Sequence, residues 1–406
     1  MEPITEVAQT DQRVRRRRVF YIPGYDPFHP RRYRELYRKE GEAQAQISGY
    51  ELGLKPKKTG GAYGWHVTTN IKEVVTDADV EVLVWSDIVK TSMSRGILAT
   101  YAQLVRTAYA YIASGALFRL AGLRKGPMIA ALYPFVFLLV QLFLAILAGW
   151  GVGMLVSAVH PVLGWAAGLG VLWAVLRAFK RWDNKVFAYY LMHDYAYSAQ
   201  AGGANPPELE ARMTAFRLSI RAALSAGFDE VLVVGHSSGA HLSVSILADL
   251  LREGLPQDTA KIGFLSLGQV VPMVSFLPKA RRLRADLHYL AAQDRLVWVD
   301  VTAPGDGCAF ALCDPVAVTG VAPEAKVWPL VISAAFTQTL SPARWKALRW
   351  KFFRLHFQYL CAFDRPGHYD YFQITAGPLS LADRYRDRAA SKSRIERPAS
   401  GYRDMA

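Results

Sequence analysis

Runs of apolar residues divide this chain into segments of two periods. Residues 19–22, 80–85, 231–234, 262–267 and 296–303 are short, continuous and rich in β-branched side chains, the pattern of strands buried on both faces. Two weaker strand patterns lie at 50–55 and 65–69. Residues 31–45, 207–226 and 279–292 instead repeat apolar positions at helical spacing, and 342–363 reads as one long helical stretch. After residue 80 the order is strand, insertion, helix, strand, helix, strand, helix, strand. That alternation predicts an α/β fold, a mostly parallel sheet with helices on both faces. Residues 1–13 read as disordered, 389–406 as a polar, basic tail, and no internal repeat is seen.

The insertion, 94–182, breaks this rhythm. Residues 128–154 contain no charged side chain, more than the roughly 20 apolar residues that a spanning helix needs. A second apolar stretch occupies 162–179, after a break that holds His160. Arg119, Arg124 and Lys125 precede the pair, and Arg177, Lys180 and Arg181 follow it. A helical hairpin puts both basic flanks on one side, and the excess of Lys and Arg assigns that side to the cytoplasm, with both termini and the sheet. Gly164, Gly168 and Gly170 suit close helix–helix contact, and His160 marks the far-side turn. Residues 96–123 are apolar but carry Arg106 and Arg119; they form either an interfacial helix or a cap packed on the sheet domain. The chain thus divides into a sheet domain in two parts, 14–93 and 183–388, around the insertion.

Candidate chemistry centres on Gly235-His236-Ser237-Ser238-Gly239, between the strand at 231–234 and an amphipathic run. Strand, G-x-S-x-G and helix together form the setting of a nucleophile elbow. Small residues at Gly235 and Gly239 admit neighbouring backbones. The turn lifts the Ser237 hydroxyl off the sheet and aims the Ser238 N–H toward an oxyanion.

In this stretch the chain resembles the α/β-hydrolase superfamily, serine esterases and lipases among them. The resemblance implies the order Ser, Asp or Glu, His, with an oxyanion loop after an early strand. Residues 19–27, V-F-Y-I-P-G-Y-D-P, look like that strand and loop. The Tyr25 backbone N–H is then the second oxyanion donor, and Pro23 replaces the family's usual His. The acid follows a later strand: Asp306, in the Gly-rich turn after 296–303, leads over Asp300 and Asp314. The base lies near the C-terminus. His368, in Asp364-Arg365-Pro366-Gly367-His368, takes that place, and His356 reads as a helix-surface or packing residue. His236 and His241 both precede the acid.

Composition agrees with a membrane enzyme facing the cytoplasm. The 406 residues carry a formal net charge of +14, which favours contact with an anionic leaflet or an acidic substrate. The basic cluster at 15–18 fits headgroup contact or plain solvation; no nucleic-acid module accompanies it. Cys308, Cys313 and Cys361 are too few and irregular for a disulfide framework or a zinc site, and no motif calls for a cofactor. No secretory signal pattern opens the chain. The expectation is a membrane-anchored serine hydrolase acting on an acyl ester or thioester of a lipid or other amphiphile. An acyltransferase using the same triad, or a non-catalytic lipid-binding scaffold, stands as the alternative.

Overall fold

Val231 and Val233 point into one hydrophobic layer, Leu232 and Val234 into another. This strand is buried at every position, as its unbroken apolar run requires. The computed structural model describes residues 13–57, 60–93, 96–255 and 259–406. The disorder expected for 1–13 falls, but for Arg13, outside the described residues.

Eight strands form one sheet: β1 (Arg16–Ile22), β2 (Glu51–Pro56), β3 (Gly64–Ile71), β4 (Val74–Val82), β5 (Glu230–His236), β6 (Lys261–Leu267), β7 (Leu296–Thr302) and β8 (Leu330–Ser333), in the order β2-β3-β4-β1-β5-β6-β7-β8. From β4 through β1 to β8 all neighbours run parallel, and β2, β3 and β4 pair antiparallel. The antiparallel edge comes from a two-residue turn, Lys72-Glu73, with both residues at positive φ, the hairpin geometry that matches sheet twist. β4 therefore begins earlier than the apolar run at 80–85 indicates.

The helices needed below are α1 (Arg31–Ser48), α2 (Ile97–Ala113), α3 (Lys125–Ser157), α4 (Pro161–Arg181), α5 (Ala188–Ala199), α6 (Pro207–Leu224), α7 (Ser238–Arg252), α8 (Arg281–Ala291), α9 (Pro342–Leu348) and α10 (Phe352–His356). Leu209 and Met213 of α6, Leu247 and Leu250 of α7, and Leu287 and Leu290 of α8 cover one sheet face. Tyr33 and Tyr37 of α1 and Leu355 of α10 cover the other. Helices therefore lie on both faces, as the alternation predicts.

α3 and α4 are two helices long and apolar enough to cross a membrane. Trp150, Leu155, Trp165 and Leu169 are exposed on them, so no layer of described residues covers these side chains. The two helices meet backbone to backbone: a Cβ on Gly149 would lie 2.6 Å from the Gly168 carbonyl, and one on Gly164 2.7 Å from that of Gly153. Gly170 faces open space and takes no part in this contact. His160 sits in the turn, capping α4 through Val162 N–H. Residues 96–123 form α2 and a short helix, Ala116–Ala121, and α2 and α3 both pack on α5.

Two other features depart from the sequence reading. The basic cluster at 15–18 belongs largely to β1. Arg17 is fully buried, its Nε 2.6 Å from Glu230 and its other nitrogens bonded to the Gly377 and Leu379 carbonyls. The tail at 389–406 is also docked: Ile395 bridges to Cys313, and Asp404 pairs with Arg281 and Arg284.

Candidate active site

Parallel strands bring their C-terminal ends to one edge of the sheet, and the chain reverses its direction of travel across the sheet between β1 and β5. Such a switch point opens a crevice. The first residues beyond β1, β5 and β7 all reach it.

Ser237 lies between β5 and α7 with φ 56 and ψ −123, a conformation that L-residues rarely adopt and that persists only where the surroundings enforce it. Its own N–H donates to the Leu267 carbonyl at 2.9 Å. Gly239 permits the turn: a Cβ there would lie 2.0 Å from the Ile22 carbonyl oxygen. Residues 231–236 and 238–240 are all buried and Ser237 alone among 231–240 is partly exposed, so the turn presents this one hydroxyl to the cleft. Ser238 is the first residue of α7, and its N–H has no carbonyl a turn earlier to bond within the helix.

The loop after β1 passes directly over the serine. A Cβ on Gly24 would come 2.9 Å from Ser237 Cβ. Trp85 Nε1 donates to the Pro23 carbonyl at 2.9 Å, which gives the unusual proline its anchor. Tyr25 follows, its hydroxyl 2.5 Å from Ser92 Oγ and its carbonyl accepting from the Tyr190 hydroxyl. Tyr25, Ser237 and Ser238 thus line the same cleft.

Asp306 lies just past β7 and is buried. Its Oδ1 accepts from Cys308 N–H at 2.9 Å, and its Oδ2 accepts from Tyr359 Oη at 3.0 Å and from His356 Nδ1 at 2.7 Å. Burial pushes this carboxyl up, but the His356 ring and these hydrogen bonds more than offset it and hold Asp306 below its ordinary value of 3.8. Asp300 sits inside β7, accepts from Ser266 Oγ at 2.6 Å, and is pushed by burial up to about 8. Asp314 caps the short helix Pro315–Thr319 and pairs with Lys326 at 2.8 Å. Of the three, Asp306 is the one bonded to a histidine.

The histidine beside Asp306 is His356, not His368. The stretch at 342–363 is broken at 349–351 into α9 and α10, and the break turns the end of α10 inward, so His356 is buried against the acid. His368 is exposed: Gly367 at φ 53 turns the chain there, Tyr369 goes into the core, and the His368 carbonyl only receives the Tyr385 hydroxyl. With Nδ1–H directed at Asp306, Nε2 is the basic atom of His356. His356 and Ser237 line the same cleft. His236 joins the two halves. Its Nε2 donates to the His356 carbonyl at 3.0 Å, its Nδ1 lies 3.3 Å from the Tyr21 hydroxyl, and burial lowers it to about 3. It is therefore a neutral brace. His241, lowered to about 4 by burial, is neutral too.

Sequence reasoning passed over α5. Tyr190, Leu191, Asp194, Tyr195 and Ser198 recur at helical spacing and line the cleft opposite Ser237; that stripe is the signal that could have found them. The acid loop also touches the foot of α3. A Cβ on Gly126 would lie 3.3 Å from Gly307 Cα, and Pro127 lines the cleft. Asp306, Cys308 and His356 offer ligand atoms within 4.8 Å of one another. A metal there would have to replace the Asp306–His356 hydrogen bond and take a thiol that burial holds well above its ordinary value of 9.

Comparison of the chain with protein-family models, with curated proteins and with solved structures finds no match.

Proposed function

We propose that this protein is a membrane-anchored serine hydrolase of the α/β-hydrolase type, cleaving an acyl ester or thioester of an amphiphilic substrate. The observation that carries the reading is a partly exposed serine on a strained strand-to-helix turn, sharing its cleft with His356, whose Nδ1 lies 2.7 Å from Asp306 behind it. His356 Nε2 takes the Ser237 proton as Oγ attacks the acyl carbon, and Asp306 holds the ring's tautomer and stabilises its charged form. The Tyr25 and Ser238 N–H groups receive the developing oxyanion. When the carbonyl re-forms, the alcohol or thiol leaves with the proton from His356. Water then gives a proton to His356, attacks the acyl-serine and releases the acid, and Ser237 recovers its proton.

Membrane anchoring rests on the exposed apolar surfaces of α3 and α4, which no other described part of the protein covers. The hairpin joins β4 to β5, and both sit in one sheet beside β1. An even number of crossings is the arrangement compatible with that sheet, and the basic flanks favour the cytoplasm for it. The contact of the foot of α3 with the acid loop supports a cleft near the bilayer surface and so a substrate drawn from the membrane.

The test is labelling with a fluorophosphonate probe in native membranes. The wild type should be labelled and Ser237→Ala should not, at equal abundance and membrane association. Labelling of the variant, or none of the wild type, overturns the reading.

A further inference from the structure

The α5 face turned toward Ser237 carries one acidic side chain, Asp194, between the Tyr190 and Ser198 positions one turn either way. Among the described residues, the one side chain that acts on its charge is His356. Neither the cleft nor the recess that continues from it is lined by any described lysine or arginine. The surplus positive charge of the chain therefore lies elsewhere, and the idea of an acidic substrate gains nothing from the cleft.

The recess shares Tyr25, Asp194, Ser198, Ser238 and Val274 with the cleft and ends at His241. His241 is nine-tenths buried, and its Nδ1 has no hydrogen-bond partner among the described residues. Its ring is neutral, so one of its nitrogens is an acceptor. A carboxylate and an imidazole thus line a space that no described lysine or arginine enters. Tyr25, Trp85 and Tyr197 surround it, and aromatic rings attract cations through their faces. Burial also pushes the Asp194 carboxyl up to about 7, which an approaching cation would reverse.

We propose that the recess between Asp194 and His241 is a recognition subsite for a protonated amine, so that the substrate cleaved at Ser237 carries an ammonium group. A phosphate or carboxylate would oppose ionisation of Asp194, whereas an ammonium group favours the ionised carboxylate and brings N–H donors for both acceptors. The inference rests on the serine-hydrolase reading above.

The experiment compares p-nitrophenyl esters of ω-aminoalkanoic acids, over a ladder of chain lengths, with their methyl-terminated isosteres. At the chain length that reaches the recess, the wild type should favour the ammonium ester by about tenfold or more in kcat/KM, the value of a hydrogen bond to a charged group. The ratio should collapse toward one in Asp194→Asn. Equal rates at every chain length in the wild type, or a preference that survives Asp194→Asn, overturns the subsite while leaving the hydrolase intact. If Ser237 takes no fluorophosphonate and neither ester is cleaved, the hydrolase reading has failed by itself. Equilibrium binding then judges the subsite: hexylamine held more tightly by the wild type than by Asp194→Asn supports it, and equal binding overturns it.

Discussion

The two halves of the cleft are built on opposite plans. The serine half is a strand and a helix joined without a loop, and its packing is so tight that Gly239 sits against the Ile22 carbonyl. The base half is a series of short pieces, α9, α10 and the turn at 358–360, pinned by side chains: Tyr359 to Asp306, Tyr369 to the Tyr359 carbonyl, and Glu40 Oε2 to Ala362 N–H. Backbone geometry fixes the first half, and a web of polar contacts fixes the second. A rigid turn announces itself through its small residues, while a web announces itself only once the chain is folded.

The largest expected effect separates the two histidines. His356→Ala should lower kcat by about 10⁴-fold or more, as loss of the base does in triads, and His368→Ala should leave the rate unchanged in the same assay. The reverse result would return the base to the loop before Tyr369. Next comes the acid: Asp306→Asn should cost about 10⁴-fold by favouring the wrong His356 tautomer, and Asp300→Asn should alter thermal stability rather than turnover. On the serine half, Gly24→Ala would place a methyl 2.9 Å from Ser237 Cβ. Displacing the oxyanion backbone in this way should slow turnover by up to about 10²-fold with the protein still folded, as read by fluorophosphonate labelling rate against melting temperature.

The smallest effect tests the brace between the halves. His236 titrates at about 3 in the folded protein and near 6.5 when unfolded, so between these values the unfolded chain binds the extra proton. Stability should be complete above pH 6.5 and fall progressively toward pH 3, by a few kcal/mol. His241, at about 4, adds to the same slope. His236→Gln, which keeps an N–H for the His356 carbonyl, should flatten the acid limb of a denaturation series. An unchanged slope would mean that the ring is not held neutral by the fold.

Legibility followed the same divide. The β5 run, the G-x-S-x-G turn and the α7 stripe occupy consecutive positions, so spacing alone placed Ser237. Asp306 was legible because a strand and a Pro-Gly turn precede it. His356 was hidden because the residues from Pro342 onward keep a helical pattern, and nothing local at Arg349-Trp350-Lys351 signals that the helix stops. The Pro-Gly loop before His368 resembled a site loop but carries its histidine outward. Asp194 was hidden for a different reason: α5 faces a cavity, so its inner stripe mixes Tyr, Asp and Ser instead of the aliphatic residues that mark a core. The β3–β4 turn escaped notice because Lys-Glu lacks the glycine or asparagine that positive φ usually selects.

The placement of β1 between β4 and β5 has a consequence for how the protein is made. Its buried partners Arg17 and Glu230 are 213 positions apart, with the apolar hairpin between them. At ordinary rates of synthesis, roughly 5–20 residues per second, β1 waits on the order of 10–40 s for its second neighbour. During that interval it is an open strand edge carrying an unpaired arginine, on a nascent chain whose next segment, if the proposed anchoring holds, is delivered to the bilayer. Delays in targeting would therefore surface as aggregation of the amino-terminal half, long before Ser237, Asp306 or His356 has been synthesised.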